Sequence, residues 1–176
     1  MFNHEDMIEI LELTNYELLY HLDSLEHAGY EKIKNFPYYI CFVPKDCLVA
    51  PLICSHIDIA SKRYPSKEEI EHKEGVLSLK KTEEYKHGHI LGGDDRCGVM
   101  VMLEALKNKL PYIIAFFNFE EPNNGAGEGS RRFGREQTEI LTKSSMFIGL
   151  DWIRKQEFAM YEYGSEKCSK ILRDSL

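Results

Sequence analysis

Four short apolar runs in this chain each end on acidic or metal-binding side chains, and their order constrains the fold more than any other feature. The runs and the polar residues that follow them occupy residues 49–58, 90–96, 112–121 and 145–151. Short apolar runs bounded by turn residues are typical of buried strands. In open α/β sheets, ligands bind beyond the carboxyl ends of the strands. The sequence therefore predicts that one histidine and several carboxylates meet at one edge of a sheet, where they form a divalent-metal site.

Helical patterns lie between these runs. Thr14 and Glu17 have the spacing of a capping box, and three leucines then recur at helical spacing until Gly29, a residue type common at helix ends. Residues 44–46 are a predicted turn and 61–74 a predicted surface loop. Further helices are predicted over 6–13, after Asp95, from about Ser130 and over 165–175, and strands over 38–43, 48–55, 76–79, 112–119, 147–150 and 157–163. This alternation of predicted strands and helices along the chain predicts a three-layer α/β domain, with a mixed, mostly parallel central sheet and helices on both faces.

Composition limits the class of protein. A chain of 176 residues that is 43% hydrophobic suits a single domain spanning 1–176. No stretch approaches the roughly 18 uninterrupted apolar residues of a membrane span, and the acidic N-terminus lacks the basic region of a signal peptide. Five cysteines without a Cys-x-x-Cys pair favour reduced thiols in the cytoplasm. The net charge of −7 argues against nucleic-acid and anionic-membrane partners.

The first two motifs each allow two interpretations. His56 and Asp58 lie two residues apart near a predicted strand end, so their side chains point to the same face. The spacing suits an imidazole that binds metal while a carboxylate holds its other nitrogen, and a surface histidine beside an acid is the alternative. Asp94 and Asp95 follow two glycines where a helix is expected to begin. One of them could cap that helix, where the dipole favours acids, or a carboxylate there could lie between two metal ions.

The other two motifs are carboxylates at strand ends. Glu120 and Glu121 end the most hydrophobic run, and Asp151 ends the last one. Successive side chains of a strand point to opposite faces, which would direct the two glutamates apart. A turn at the end of the strand must therefore place them for their separate roles. One can then bind metal while the other moves protons, although solvated charges are the simpler interpretation of each motif alone. The four motifs together, each at the end of a predicted buried strand, indicate a zinc hydrolase.

Taken in order, these motifs resemble those of the co-catalytic zinc aminopeptidases and carboxypeptidases. The matching segments are His56-Ile57-Asp58, residues 91–98, Glu120-Glu121 with its glycine-rich sequel, and Leu150-Asp151. The resemblance covers roughly residues 14–176 and is to compact peptidases similar to family M28, and to families M20 and M42 without their inserted domain. It implies a zinc-exopeptidase-like fold and an aminopeptidase-like activity on a peptide or an acylated amino acid.

The resemblance also implies a role for each site residue. The implied ligands of two zinc ions are His56 and Asp151 for the first, Glu121 for the second and Asp94 as the bridge. Glu120 is the implied general base, which takes a proton from the attacking water and gives it to the leaving amine. Asp58 is the implied partner that orients His56. Manganese or cobalt could replace zinc, since the ligands are rich in oxygen.

One ligand of that family has no counterpart here. The family supplies a further histidine downstream of the Asp151 position, and no histidine follows Asp151 in this chain. We expect a chain that lacks the C-terminal segment of the family and therefore binds its second metal weakly. The other interpretations are a degenerate, one-metal or inactive homologue, and replacement of the histidine by Cys168 or by an earlier histidine.

Other functions stay open at this point. A decayed peptidase scaffold could bind or store metal without catalysis, and an N-acyl amino acid deacylase would use the same site. Residues 14–43 could also form half of a winged-helix DNA-binding module. Residues 1–36, however, contain eight acids and only two basic residues, Lys32 and Lys34, a balance that repels phosphate.

Overall fold

The structure of the protein is a computed structural model that describes residues 4–80 and 90–150. Its helices are α1 (His4–Glu12), α2 (Asn15–Ser24), α3 (Gly93–Lys107), α4 (Glu128–Glu136) and α5 (Thr138–Thr142), with a 3₁₀ turn at Lys67–Glu69. Its strands are β1 (Tyr30–Asn35), β2 (Tyr39–Pro44), β3 (Ala50–His56), β4 (Ile70–Lys73), β5 (Val76–Leu79), β6 (Ile113–Phe117) and β7 (Ser144–Gly149). The predicted strand over 157–163 and helix over 165–175 lie outside the described residues.

Five strands form one sheet in the order β1-β2-β6-β3-β7, and β4 and β5 form a separate hairpin. β6 pairs parallel with β3, and β3 parallel with β7, whereas β2 runs antiparallel to both β1 and β6. Four of the five strands therefore run in the same direction and only β2 runs against them, so the sheet is mixed and mostly parallel, as predicted. The predicted strands 38–43 and 48–55 exist as β2 and β3, but β6 lies between them, so the turn over 44–46 does not join paired strands.

Helices pack on both faces of this sheet. Alternate residues of β2, β3 and β6 belong to two different apolar cores. The core on one face includes Ile10 of α1, Leu18 of α2 and Val99 of α3. The core on the other face includes Phe133 of α4 and Ile140 of α5. The predicted α/β layering is confirmed, since each central strand buries both of its faces against helices. Within the described residues, no helix combines the length and the apolar character that a membrane crossing requires.

Helix α2 begins where its capping box predicts and ends earlier than predicted. The Thr14 side chain accepts the Glu17 N–H, and the Glu17 carboxylate accepts the Thr14 N–H. The helix ends at Ser24, because Leu25 is already extended at ψ 132°. The ammonium of Lys32, on β1, donates to the Leu25 carbonyl and so places a cation at the C-terminal end of the helix. The sequence pattern did not predict this contact. Gly29 is therefore not the helix stop.

Two other sequence-based predictions were wrong. Residues 61–74 are not a plain loop, because they include the 3₁₀ turn and β4, which pairs with β5. The apolar pair Ile90 and Leu91 does not form a strand. It leads into Gly92, which is left-handed at φ 80° and directly precedes α3. An apolar run this short cannot be assigned to a strand by its pattern alone.

Candidate metal centre

His56 is the last residue of β3, which lies between β6 and β7 in the sheet. Its side chain is buried, and Nδ1 lies 2.8 Å from the main-chain carbonyl oxygen of Asp58. Because a carbonyl only accepts hydrogen bonds, Nδ1 carries a proton, and in the neutral ring the lone pair is therefore on Nε2. The resemblance implies that the Asp58 carboxylate orients His56, but that carboxylate lies 3.8 Å from Nδ1. The main chain of Asp58 provides the closer contact, an arrangement that would suit a histidine that binds metal through Nε2.

The Nε2 atom of His56 faces the carboxylate of Asp94. The distance from Nε2 to Asp94 Oδ1 is 3.4 Å, longer than an ordinary hydrogen bond. Two ligands about 2.1 Å from a tetrahedral zinc ion lie roughly 3.4 Å apart. The Asp94 side chain is 51% exposed, so a hydrated ion can reach it. An imidazole nitrogen and a carboxylate oxygen at this separation fit one edge of a zinc coordination shell.

Asp95 takes the capping role that the sequence left open between the two aspartates. It is buried, and its Oδ1 accepts the N–H of Gly98, three residues on, while Oδ2 accepts the His56 N–H at 3.3 Å. A Cβ atom at Gly98 would lie 2.4 Å from Asp95 Oδ1, so only glycine allows this approach. The peptide bond between Asp94 and Asp95 is cis. Asp95 thus joins the start of α3 to the end of β3, and Asp94 projects into the pocket.

The Asp58 carboxylate binds the turn that carries the two glutamates. It is fully buried, with 0% exposure. Oδ1 accepts the N–H of Glu120 at 3.1 Å, and Oδ2 accepts the N–H of Glu121 at 3.0 Å. Oδ2 also accepts the side-chain amide of Asn124 at 3.1 Å. Asp58 is therefore a positioning residue for Glu120 and Glu121, a role that the two-residue spacing from His56 did not predict.

Glu120 lies at the edge of the pocket with its carboxylate half-buried. Burial raises the pKa of this carboxyl, and hydrogen bonds from the main chain and hydroxyl of Ser130 oppose that shift. The nearby Asp58 carboxylate also raises the pKa of Glu120, while His56 lowers it. A glutamate whose pKa is raised toward neutrality is suited to take up and release a proton.

The turn after β6 depends on residues that sequence reasoning missed. The buried Asn118 donates its side-chain amide to the Pro37 carbonyl and accepts the Phe119 N–H. Phe119 is left-handed at φ 66°, and its carbonyl accepts the N–H groups of Gly127 and Glu128. These contacts fold the loop back against β6. The glycine-rich sequence after Glu121 was the available signal, because closely spaced glycines indicate a backbone that turns tightly.

Four of the six predicted site residues line a common pocket. They are His56, Asp94, Glu120 and Glu121, together with Pro122. The buried Asp58 lies behind them, and Asp151 lies outside the described residues. The Leu150 N–H, at the last described residue, donates to the Cys54 carbonyl of β3. Within residues 4–80 and 90–150, no three histidine, cysteine or acidic side chains are close enough together to hold an ion as they stand.

No protein-family model matches the chain, and no curated protein matches it. The resemblance to zinc peptidases therefore depends on the order and spacing of the motifs in the sequence.

Proposed function

We propose that this protein is a metal-dependent hydrolase that cleaves a peptide or amide bond, with zinc as the preferred ion. The observation that carries the proposal is the 3.4 Å separation between His56 Nε2 and Asp94 Oδ1 in a pocket that also contains Glu120 and Glu121. Nitrogen and carboxylate oxygen are both common zinc ligands. The main-chain bond at Nδ1 supports the proposal further, since such bonds fix the tautomer of metal-binding histidines.

Each pocket residue has a distinct part in the proposed reaction. His56 and Asp94 would hold the ion, and the resemblance adds Glu121 and Asp151 as further ligands. A divalent ion bound there supplies a water of lowered pKa and stabilises negative charge on the substrate oxygen. Glu120 would accept a proton from the attacking water and donate it to the leaving amine, for which its raised pKa is suited. Asp58 would hold both glutamates through their main-chain N–H groups.

A metal titration tests the first part of this proposal. Metal-free protein is titrated with zinc by calorimetry, and thermal unfolding is followed with and without zinc. We expect zinc to bind and to raise the midpoint of unfolding, because a ligand of the folded state stabilises it. His56→Ala and Asp94→Ala should each lose this response. His72→Ala, at an exposed histidine of β4, is the control and should retain it. Zinc binding unchanged in the two site variants would refute the assignment.

An activity assay tests the second part. Aminoacyl anilides and N-acetyl amino acids are offered separately, which distinguishes an aminopeptidase from a deacylase. Glu120→Gln should retain zinc and lose roughly 10²–10⁴-fold in turnover, the usual contribution of general acid–base catalysis. Glu31→Gln, at an exposed site on β1, is the matched control. Full turnover in Glu120→Gln would reject its role, and loss of zinc would show that the two glutamates are assigned the wrong way round. Zinc binding without turnover of either substrate would identify a non-catalytic metal-binding protein.

A further inference from the structure

Ser130 contacts both oxygens of the Glu120 carboxylate. Its main-chain N–H lies 2.7 Å from Glu120 Oε1, and its hydroxyl lies 2.8 Å from Oε2. Ser130 is the third residue of α4, so its N–H is one of those that a helix leaves without a partner in its first turn. Hydrogen bonds to a charged acceptor are stronger than those between neutral groups. One residue thus fixes both the position and the rotation of this carboxylate.

The position of Ser130 is itself fixed by the preceding glycine. A Cβ atom at Gly129 would lie 2.2 Å from the Asn118 carbonyl oxygen and 2.7 Å from that of Tyr38. The start of α4 therefore packs directly on the main chain at the end of β6. Glu120 follows β6 by three residues, and Asp58 holds its N–H. The main chain of Glu120 is held from β3 and its carboxylate from α4.

The Ser130 hydroxyl has a second acceptor within reach. Its oxygen lies 3.2 Å from the Gly127 carbonyl oxygen, besides 2.8 Å from Glu120 Oε2. A hydroxyl can donate one hydrogen bond and accept others. Both acceptors lie near the start of α4, so the hydroxyl oxygen of Ser130 is kept beside the Glu120 carboxylate.

We infer that Ser130 is a positioning residue of this site, which holds the Glu120 side chain in the pocket. Its relevance to catalysis rests on the proposed function, in which Glu120 moves protons. The hold on the carboxylate can be tested without any activity. Ser130→Ala removes the hydroxyl and keeps the N–H, whereas Ser130→Thr restores a hydroxyl at the same position.

Carbon-13 NMR of the glutamate carboxyl groups tests directly whether Ser130 holds the Glu120 carboxylate. The Glu120 signal is assigned by its loss in Glu120→Gln. We expect this signal to move in Ser130→Ala and to return toward its original position in Ser130→Thr, with and without zinc. Ser24→Ala, whose hydroxyl bonds to the His21 carbonyl, is the matched control and should leave the signal in place. We expect the carboxylate to shift the Ser130 amide proton downfield, so this proton should move upfield in Glu120→Gln. An unmoved Glu120 signal in Ser130→Ala, or an unmoved Ser130 amide in Glu120→Gln, would overturn the proposal.

Kinetic measurements distinguish a positioning role of Ser130 from a role in packing alone. Ser130→Ala should lower kcat on the order of 10-fold, the effect of losing one hydrogen bond to a charged group, while KM and zinc content stay unchanged. Ser130→Thr should recover most of that loss. A loss that threonine does not restore would assign the effect to packing and overturn the proposal. A wild-type protein without turnover would refute the proposed function, and the carboxyl and amide signals would still decide whether Ser130 holds Glu120.

Discussion

The Asp58 carboxylate accepts the main-chain N–H of Glu121 at 3.0 Å, across 63 positions of sequence. Together with the bond from Glu120, this contact joins the ends of β3 and β6. The two strands carry different parts of the candidate site, since His56 ends β3 and the glutamates follow β6. A fully buried carboxylate therefore sets the distance between His56, at the end of β3, and the two glutamates that follow β6.

Replacement of Asp58 should lower the stability of the fold and disturb the positions of the site residues. In Asp58→Asn, one carboxylate oxygen becomes an NH₂ group that meets a buried N–H donor. We expect a loss of about 2–4 kcal/mol in the free energy of unfolding, because the buried donors lose a charged acceptor. Urea unfolding measures the loss. Asp46→Asn, at an exposed site, should change stability by less than about 0.5 kcal/mol. Equal stability of the two variants would show that the Asp58 contacts contribute little.

Two glycines of α4 should respond in opposite directions to alanine. Gly129→Ala places a Cβ atom 2.2 Å from the Asn118 carbonyl oxygen, so the main chain must shift. We expect a loss of about 2–4 kcal/mol, at or above the usual cost of overpacking. Gly134 has open space at its Cβ position. Gly134→Ala should therefore stabilise the protein by about 0.5–1 kcal/mol, the difference in helix propensity. Thermal unfolding of both variants is the measurement, and a stable Gly129→Ala would contradict the close approach.

The buried Arg96 should not tolerate replacement by lysine. Its guanidinium donates to the carbonyls of Ile10, Leu11 and Leu13 at the end of α1, and burial lowers its pKa to about 10. The Nη2 atom of Arg96 also donates to the Asn15 side-chain oxygen, and the guanidinium lies over the Tyr64 ring. A single lysine ammonium cannot occupy both nitrogen positions and also cover the ring. Arg96→Lys should lose about 2–4 kcal/mol by urea unfolding.

The pH dependence of the stability loss in Arg96→Lys follows from the direction in which the pKa of Arg96 is shifted. The folded-state pKa of Arg96 lies below the unfolded value, so its contribution changes only above pH 10 or so. The loss should be equal at pH 6 and pH 8. Arg135→Lys, at an exposed site on α4, is the control. A loss that differs between the two pH values would indicate that the buried lysine of the variant, or a group beside it, titrates in this range.

Glu136 should make stability depend on acid pH. Hydrogen bonds from Asn35 and Tyr39 lower the pKa of Glu136 below its ordinary value of 4.5. A lowered folded-state pKa stabilises the fold above the unfolded pKa, and this contribution disappears as pH falls through the folded value. Glu136→Gln should therefore melt below the wild type at pH 6, and the difference should shrink toward pH 3. Thermal unfolding across that range measures it. A difference in melting temperature that stays constant with pH would show that the effect comes from the glutamine side chain of the variant and not from titration of Glu136.

Much of the site followed from sequence, because strand ends are local features. The positions of His56 and of the Glu120-Glu121 pair were predicted from apolar runs that end on polar residues, and both motifs reach the same pocket. The capping role open to Asp94 or Asp95 was resolved only by the structure. Adjacent carboxylates look alike in sequence, and only the burial of Asp95 and its hydrogen bonds to Gly98 and His56 distinguish it from Asp94.

The supporting contacts could not be predicted, because they join distant segments. Ser130 binds Glu120 from a different element, and Lys32 caps α2 from β1. β1 itself was missed, because its sequence carries charged residues among few apolar ones. The placement of β6 between β2 and β3 also has no local signal. Strand order depends on pairing between distant segments, which apolar periodicity does not encode.

That strand order has a consequence for the newly made chain. β2 and β3 are synthesised in succession, yet neither can complete its pairing until β6, which starts at Ile113, inserts between them. At about 5–20 residues per second, the ribosome needs roughly 3–11 s to make the segment between β3 and β6. During that interval two apolar strands present unpaired inner edges to other chains. Aggregation during synthesis should therefore respond to the rate of translation between residues 57 and 112.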